Sequence, residues 1–556
     1  MKRITAILLL SLAFAAIHAE FVTPDQAART ATLFMTGHEA SKVHSALPGN
    51  TGNRPELELA CSYQPDGSAP ASFYIFNRED GSGFVIVSAE SETRQILAYS
   101  NEGSFHVDHM DKGAAEFLKS YDRAINAVRY GKSIPVAGNA GRYQPKLLET
   151  AAFDQNGYSF NTAYAPKVGG TPCQAGCVAT AMGIIMKYHN WPTRSSGSHS
   201  YTMPSGVEMS YDFSKNPFDW KSISNVPDAK SSAATSQLLK ACGISINMEY
   251  GPEESWSYFA LVNYALRHYF YYNYPYQIFR DEMDTDDWET IMRSEIDNGR
   301  PVFIGGVAKI GGHAYVLDGY DSEGIFHYNL GWGGVNNGYY TEGKISSECY
   351  ANTDAIIGIE PRSIDQEDFT APFQYSSIKM AKVDNPYYQS YFNIDAKNFM
   401  NIANVPFSGK VRADIYDKDL KLKANIHTGF DESEHPLGTG SYYLGYGFYY
   451  CHIPGNVRIY DTDRIIISTS TDNGKSWQPV FCASDHFRYL YANGRIHDDI
   501  ANISGTVPGL AHVFTVNGTR ITSFTASQDD QIPDGLEPGI YIIRYSSGKT
   551  VTRLIP

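Results

Sequence analysis

At 556 residues the chain is too long to close around one hydrophobic core, so it must divide into several domains, three or more. Its hydrophobic content of 42% and its 40 tyrosines supply enough apolar surface for packed cores and argue against disorder. The order of patterns along the chain gives the divisions. Residues 1–19 join a basic start to a short apolar run ending in small residues, the pattern of a secretory signal peptide and too short to span a bilayer comfortably. No other long apolar run follows, so no transmembrane segment is expected. Residues 20–147 alternate strand-like runs such as "ASFYIFNREDGSGFVIVSAESETRQILAYS" with an amphipathic helix ending near Gly131 and a Pro- and Gly-rich connector. Residues 148–362 hold the chemistry-bearing motifs. Residues 363–502 carry short strands such as "GKVRADIYD" and "DRIIISTSTD" at sandwich-like spacing, and residues 503–556 end in a strand pair, "GIYIIRY" and "TVTRLI". The net charge of −15 disfavours nucleic acid and anionic membranes as partners.

Seven cysteines are too few for a disulfide scaffold in an exported chain of this length, and their odd number leaves at least one thiol over if all pairs are internal. Two of them, Cys173 and Cys177, precede the run "VATAMGIIMKYH", in which Val178, Ala181, Met182, Ile185 and Met186 recur at helical spacing. That helix stops before Trp191-Pro192, and Cys177 falls in its first turn. Free backbone N–H groups and the positive end of the helix dipole favour a thiolate there. A nucleophilic cysteine also needs a base, and the base an orienting partner. "KIGGHAYVLDGYDSEGIFHYNLGWGGVNNGYY" offers His313 at the head of a strand and Asn329 at the end of the next. A hairpin would set them side by side, with the Asn329 amide bonded to one imidazole nitrogen while the other faces Cys177. The competing readings are a buried structural thiol, a Cys173–Cys177 disulfide, and a zinc site completed by His189. The last lacks a second cysteine pair at zinc-site spacing. His189 reads as a helix-end residue and His327 as packing. The acidic run Asp281–Glu289 reads as a solvated helix start that could also take Ca²⁺.

At these residues the sequence resembles the streptopain family of secreted bacterial cysteine peptidases, a papain-like branch. "GCVATAM…IMKYHNWP" resembles that family's nucleophile helix, and "GGHAYVLDGY…HYNLGWGGVNNGYY" its histidine hairpin. The resemblance implies an α+β papain-like catalytic domain with an inhibitory α+β propeptide before it and all-β domains after it. It implies Cys177 as nucleophile, His313 as general base and Asn329 as the orienting residue. It also implies a glutamine donor to the oxyanion, which Gln155 in "AAFDQNGYSFNTAYAP" supplies, with Phe153 where the family has tryptophan and one extra residue before Asn161. Gly312 would lie beside the substrate backbone, and Ser255 and Trp256 in "YGPEESW" would line the pocket. No cofactor or metal is implied. The partners implied are protein or peptide substrates and the chain's own propeptide, removed by cleavage between about Gly131 and Leu147, with Arg142 and Lys146 as candidate sites. The C-terminal segment resembles the sorting domain of the type IX secretion route, which would place the protein outside the cell or on its surface. The alternatives are another Cys-His-Asn acyltransferase or amidase, and an inactive adhesin whose β domains do the work.

Overall fold

The structure, a computed structural model, describes residues 20–43, 55–64, 70–107, 112–132, 143–341 (except 274, 283–284 and 309–310), 353–364, 373–383 and 391–480 (except 420 and 432–435). Beyond these it describes 489–494, 496–497, 510–515, 520–525, 536, 539–545 and 550–555. The signal segment, and Arg142 in the connector, lie outside the described residues. The chain forms two compact units, one of residues up to Asp108 with Ala115–Asn139 and Thr341–Cys349, the other chiefly of Ala140–Tyr340 and the chain from Tyr350 on.

In the first unit, strands Leu57–Tyr63, Phe73–Arg78, Phe84–Ser88 and Ile96–Ser100 pair antiparallel in chain order. The helix expected near Gly131 spans Lys112–Arg129. It is tied down at its end, where Arg129 Nε lies 3.3 Å from the buried Glu90 carboxylate. A second helix, Pro24–Val43, buries Ala27, Ala31 and Met35. Thr23 and Gln26 start it reciprocally: the Gln26 N–H donates to Thr23 Oγ1 at 3.3 Å and the Thr23 N–H to Gln26 Oε1 at 2.8 Å. Pro24 sits at the first helical position, where its missing N–H costs nothing.

The second unit is built on an antiparallel sheet in the order Gly338–Tyr340, Phe326–Asn329, Gly311–Tyr320, Val302–Ala308, Thr353–Ile357, Tyr276–Phe279. Helix Cys177–His189 buries every residue from Val178 to Lys187 between this sheet and helix Ser232–Ser245. Burial on all sides makes the helix a fixed post: each large apolar side chain it encloses contributes roughly 1.5–3 kcal/mol. Residues 143–147, which lie before the expected start of this region, are joined to it. Lys146–Leu147 pairs with Gly319–Tyr320, and the Tyr143 N–H donates to the Ser322 carbonyl at 2.9 Å.

The C-terminal β elements include one sheet of Phe373–Gln374, Ser377–Lys382, Tyr391–Asn401 and Tyr442–His452, and another centred on Lys410–Tyr416, Leu422–Asp431 and Arg464–Ser470. The last sheet pairs Gly539–Tyr545 with Thr550–Ile555, the strand pair read from the sequence. Helix Thr285–Asp297 begins inside the acidic run as expected. Glu282, however, is not solvated as that reading supposed. Its carboxylate accepts from Ser376 Oγ at 2.7 Å and Asn398 Nδ2 at 2.9 Å and pairs with Lys397 at 2.8 Å, so a buried charge is compensated across the junction to the β elements.

Candidate active site

Cys177 is the first residue of helix Cys177–His189 and a partly exposed free thiol at the end of an otherwise buried helix. Gly176 caps it at φ 85°, a left-handed conformation that side chains resist. A Cβ there would also stand 2.8 Å from Met248 Sδ and 3.0 Å from the Ser255 carbonyl. Glycine is therefore required twice over, and the segment holding Ser255 is drawn against the helix start. At the far end Asn190 turns left-handed at φ 47°, before Trp191-Pro192. His189 is half-buried there, and desolvation pulls its pKa down to about 4. Its Nδ1 lies 3.3 Å from the Tyr272 hydroxyl, consistent with a neutral helix-end residue. Cys173 is a buried thiol whose pKa desolvation raises.

His313 lies on strand Gly311–Tyr320, 7% exposed, with exposed Gly312 before it. Its Nε2 stands 3.1 Å from the Leu330 carbonyl, and its ring stacks on Trp332 with centroids 4.9 Å apart. The pairing with Phe326–Asn329 sets Val316, not His313, opposite Asn329. The expected His313–Asn329 hydrogen bond gives way to a different arrangement. Asn329 Nδ2 donates to Thr150 Oγ1 at 3.0 Å and to the Ala151 carbonyl at 2.9 Å, and Asn329 Oδ1 accepts from the Gly331 N–H at 3.2 Å. Asn329 thus braces the turn that carries the Leu330 carbonyl and Trp332, two of the groups against the imidazole.

Behind Asn329 runs a chain of buried and half-buried polar groups that the sequence alone does not single out. Thr150 Oγ1 donates to Asp318 Oδ2 at 2.5 Å, and Asp318 Oδ1 lies 2.5 Å from His327 Nδ1. His327 is therefore a hydrogen-bond partner of Asp318 rather than simple packing. The signal was a carboxylate inside the apolar strand "AYVLDGY", since a buried charge demands a partner.

Gln155 is buried, and its carbonyl accepts from the Ala175 N–H at 2.8 Å, two residues before Cys177. The Gly333 N–H donates to the Phe153 carbonyl at 2.8 Å, so the Gln155 segment joins the helix start to the turn after Asn329. Burial raises the pKa of the neighbouring Asp154. On the other side of that turn, a Cβ on Gly331 would lie 3.3 Å from Thr180 Cγ2, so the turn seats against helix Cys177–His189. The Ser255 hydroxyl donates to the Gln174 carbonyl at 2.8 Å and accepts from the Gly251 N–H at 3.0 Å. Ser255 is 4% exposed and ties its loop to the helix start, whereas Trp256, 47% exposed, presents the open surface.

Matches to known proteins fall on the same segments. Residues 153–340 match the Peptidase C10 family and residues 19–125 the Spi protease inhibitor. Streptopain of Streptococcus pyogenes is 32% identical over 329 residues, covering 52% of this chain and 81% of streptopain. The thiol protease/hemagglutinin PrtT of Porphyromonas gingivalis is 32% identical over 399 residues, 65% of this chain, which spans 45% of that relative's length. Among solved structures, a prointerpain A fragment of Prevotella intermedia aligns at 27% identity over 56% of this chain and 100% of that one, with a TM-score of 0.47.

Proposed function

Because the chain belongs to the Peptidase C10 family, we propose that it is a secreted cysteine endopeptidase, made as a zymogen, that hydrolyses peptide bonds of extracellular proteins. One observation carries the reading: the segment of Gln155, the helix start at Cys177 and the turn against His313 are hydrogen-bonded or packed onto one another. The Cys177 thiolate attacks the scissile carbonyl carbon. The oxygen takes the negative charge, facing the Cys177 backbone N–H and the Gln155 amide. His313, holding the thiol proton, delivers it to the leaving amine, and a thioester remains on Cys177. Water then attacks the thioester while His313 accepts its proton, releasing the acid and restoring the thiol–imidazole pair. The test is alkylation: an iodoacetamide or epoxide probe is expected to label Cys177 in the processed protein and to stop cleavage of a peptide substrate in proportion. Full cleavage by stoichiometrically labelled protein refutes the reading.

The segment matching a protease inhibitor supports intramolecular inhibition by the first unit. Maturation should then cut before Tyr143. Lys146 Nζ donates to the Asp297 carbonyl at 2.7 Å, the Leu148 N–H to the Asp318 carbonyl at 2.8 Å, and Thr150 holds Asn329. A cut after Lys146 would tear out this strand, whereas Arg142 precedes it. N-terminal sequencing of the active form is expected to begin at or before Tyr143. An active form that begins after Thr150 shows that the strap is dispensable. The terminal strand pair is consistent with a type IX sorting domain and equally with a plain terminal sheet.

A further inference from the structure

The Trp256 loop does not face the second unit's solvent alone. Across from it stands a loop of the C-terminal β elements, and between them lies a cavity of about 370 Å³. Trp256 and Tyr258 form one wall, with the two rings edge-on at 5.6 Å. Val405, Pro406 and Thr439 form a second, and the run from His199 to Pro204 lines the remaining side. Trp256, Tyr258 and Val405 are all close to half exposed, so the groove is open and mainly apolar.

The first two walls are fixed. On the first, Glu249 and Trp256 exchange backbone hydrogen bonds at 2.9 and 3.1 Å, and the Ser257 hydroxyl donates to the Ile246 carbonyl. On the second, Asn404 is 3% exposed and donates through Nδ2 to the Ser245 carbonyl and the Tyr269 hydroxyl, each at 2.9 Å. Asn247 Nδ2 returns a bond to the Asn404 carbonyl at 2.7 Å. Gly440, at φ 68°, lets the Tyr258 ring approach so closely that a Cβ there would fall 2.4 Å from Tyr258 Cγ. The groove is thus a built feature shared by two parts of one unit.

The geometry points to this groove as a distal substrate subsite that takes a bulky apolar side chain of an extended peptide; the assignment rests on the peptidase reading. The occupant follows from continuity. The Ser255 carbonyl abuts Gly176, the residue before Cys177, and the very next residue, Trp256, opens the groove. A peptide lying over Cys177 that continues along this loop would reach the cavity. Its chemistry follows from the walls, which give an apolar side chain area to bury and an acidic one the nearby Glu249 to avoid. The second wall lies outside residues 153–340 that match the peptidase family, so this part of specificity belongs to the C-terminal elements of this chain.

The test uses the processed enzyme and a series of otherwise identical peptides in which one leucine moves a position at a time, each with a serine twin. At one position beyond the two residues nearest the scissile bond, the leucine peptide is expected to exceed its twin in kcat/KM by roughly tenfold, carried by KM. Val405→Asp, and independently Thr439→Trp, should bring that ratio to about one. A wild-type ratio near one at every distal position, or a ratio that survives both substitutions, overturns the subsite. Binding of the same labelled peptides to the Cys177→Ala protein, followed by fluorescence polarisation, separates the two readings. A leucine preference in binding that Val405→Asp removes, from a wild type that cleaves no peptide, upholds the groove and removes the peptidase assignment.

Discussion

The Cys177→Ala protein is expected to fold, to stay unprocessed when it is the sole peptidase present, and to cleave peptides at least about 10⁴-fold more slowly than wild type. The size follows from chemistry: without the sulfur there is no thioester and no two-step route. The fold should survive because Cys177 is partly exposed at the first position of its helix, where alanine is a good helix former. Cys242→Ala is the contrasting control. Cys242 is fully buried with its Sγ 3.6 Å from Met186 Sδ, so its loss should lower the melting temperature and spare kcat. Measuring kcat/KM and thermal melting on both variants checks the pair. Casein hydrolysis by purified Cys177→Ala above a mock preparation would remove Cys177 from its role.

His313→Ala should be nearly as damaging, because it removes the group that moves the proton. Asn329→Ala should cost far less in kcat, on the order of 10- to 100-fold, because Asn329 acts through the turn it braces. Part of its effect should appear as lost stability, since its truncation leaves the buried Ala151 carbonyl and Thr150 hydroxyl short of a donor, a cost of roughly 1–3 kcal/mol. Thr150→Val should resemble a milder Asn329→Ala. Steady-state kinetics and denaturant melts on the three proteins give the ranking. A well-folded Asn329→Ala as inactive as His313→Ala would mean that the amide meets the imidazole directly during turnover.

What could be read from the sequence was what is local. The helix at Cys177 announces itself by spacing and by Trp191-Pro192, and the terminal strand pair by alternation. The entry helix Pro24–Val43 carries an equally local signal in Thr23-Pro24-Asp25-Gln26, a capping box with proline at its first position. The place of Asn329 was not local. The pairing slips between Leu317 and Gly319; a glycine inside a strand hints at such a bulge, but nothing local says that Val316 will face Asn329. Thr150 and Asp318 meet from 168 residues apart, so the network that His327 completes depends on tertiary folding. Glu282 looked solvated because its partners, Ser376, Lys397 and Asn398, arrive from the C-terminal β elements.

Asn404 has a consequence for how such a chain can change over generations. Its carboxamide satisfies the Ser245 carbonyl and the Tyr269 hydroxyl inside the catalytic part, while desolvation of that phenol raises its pKa. Recombination that exchanged the β elements for a foreign module would strand those polar groups in an apolar setting and expose the surface around them. Exchange of the β elements should therefore cost stability, and drift in the 404–406 loop is the less costly route to new specificities.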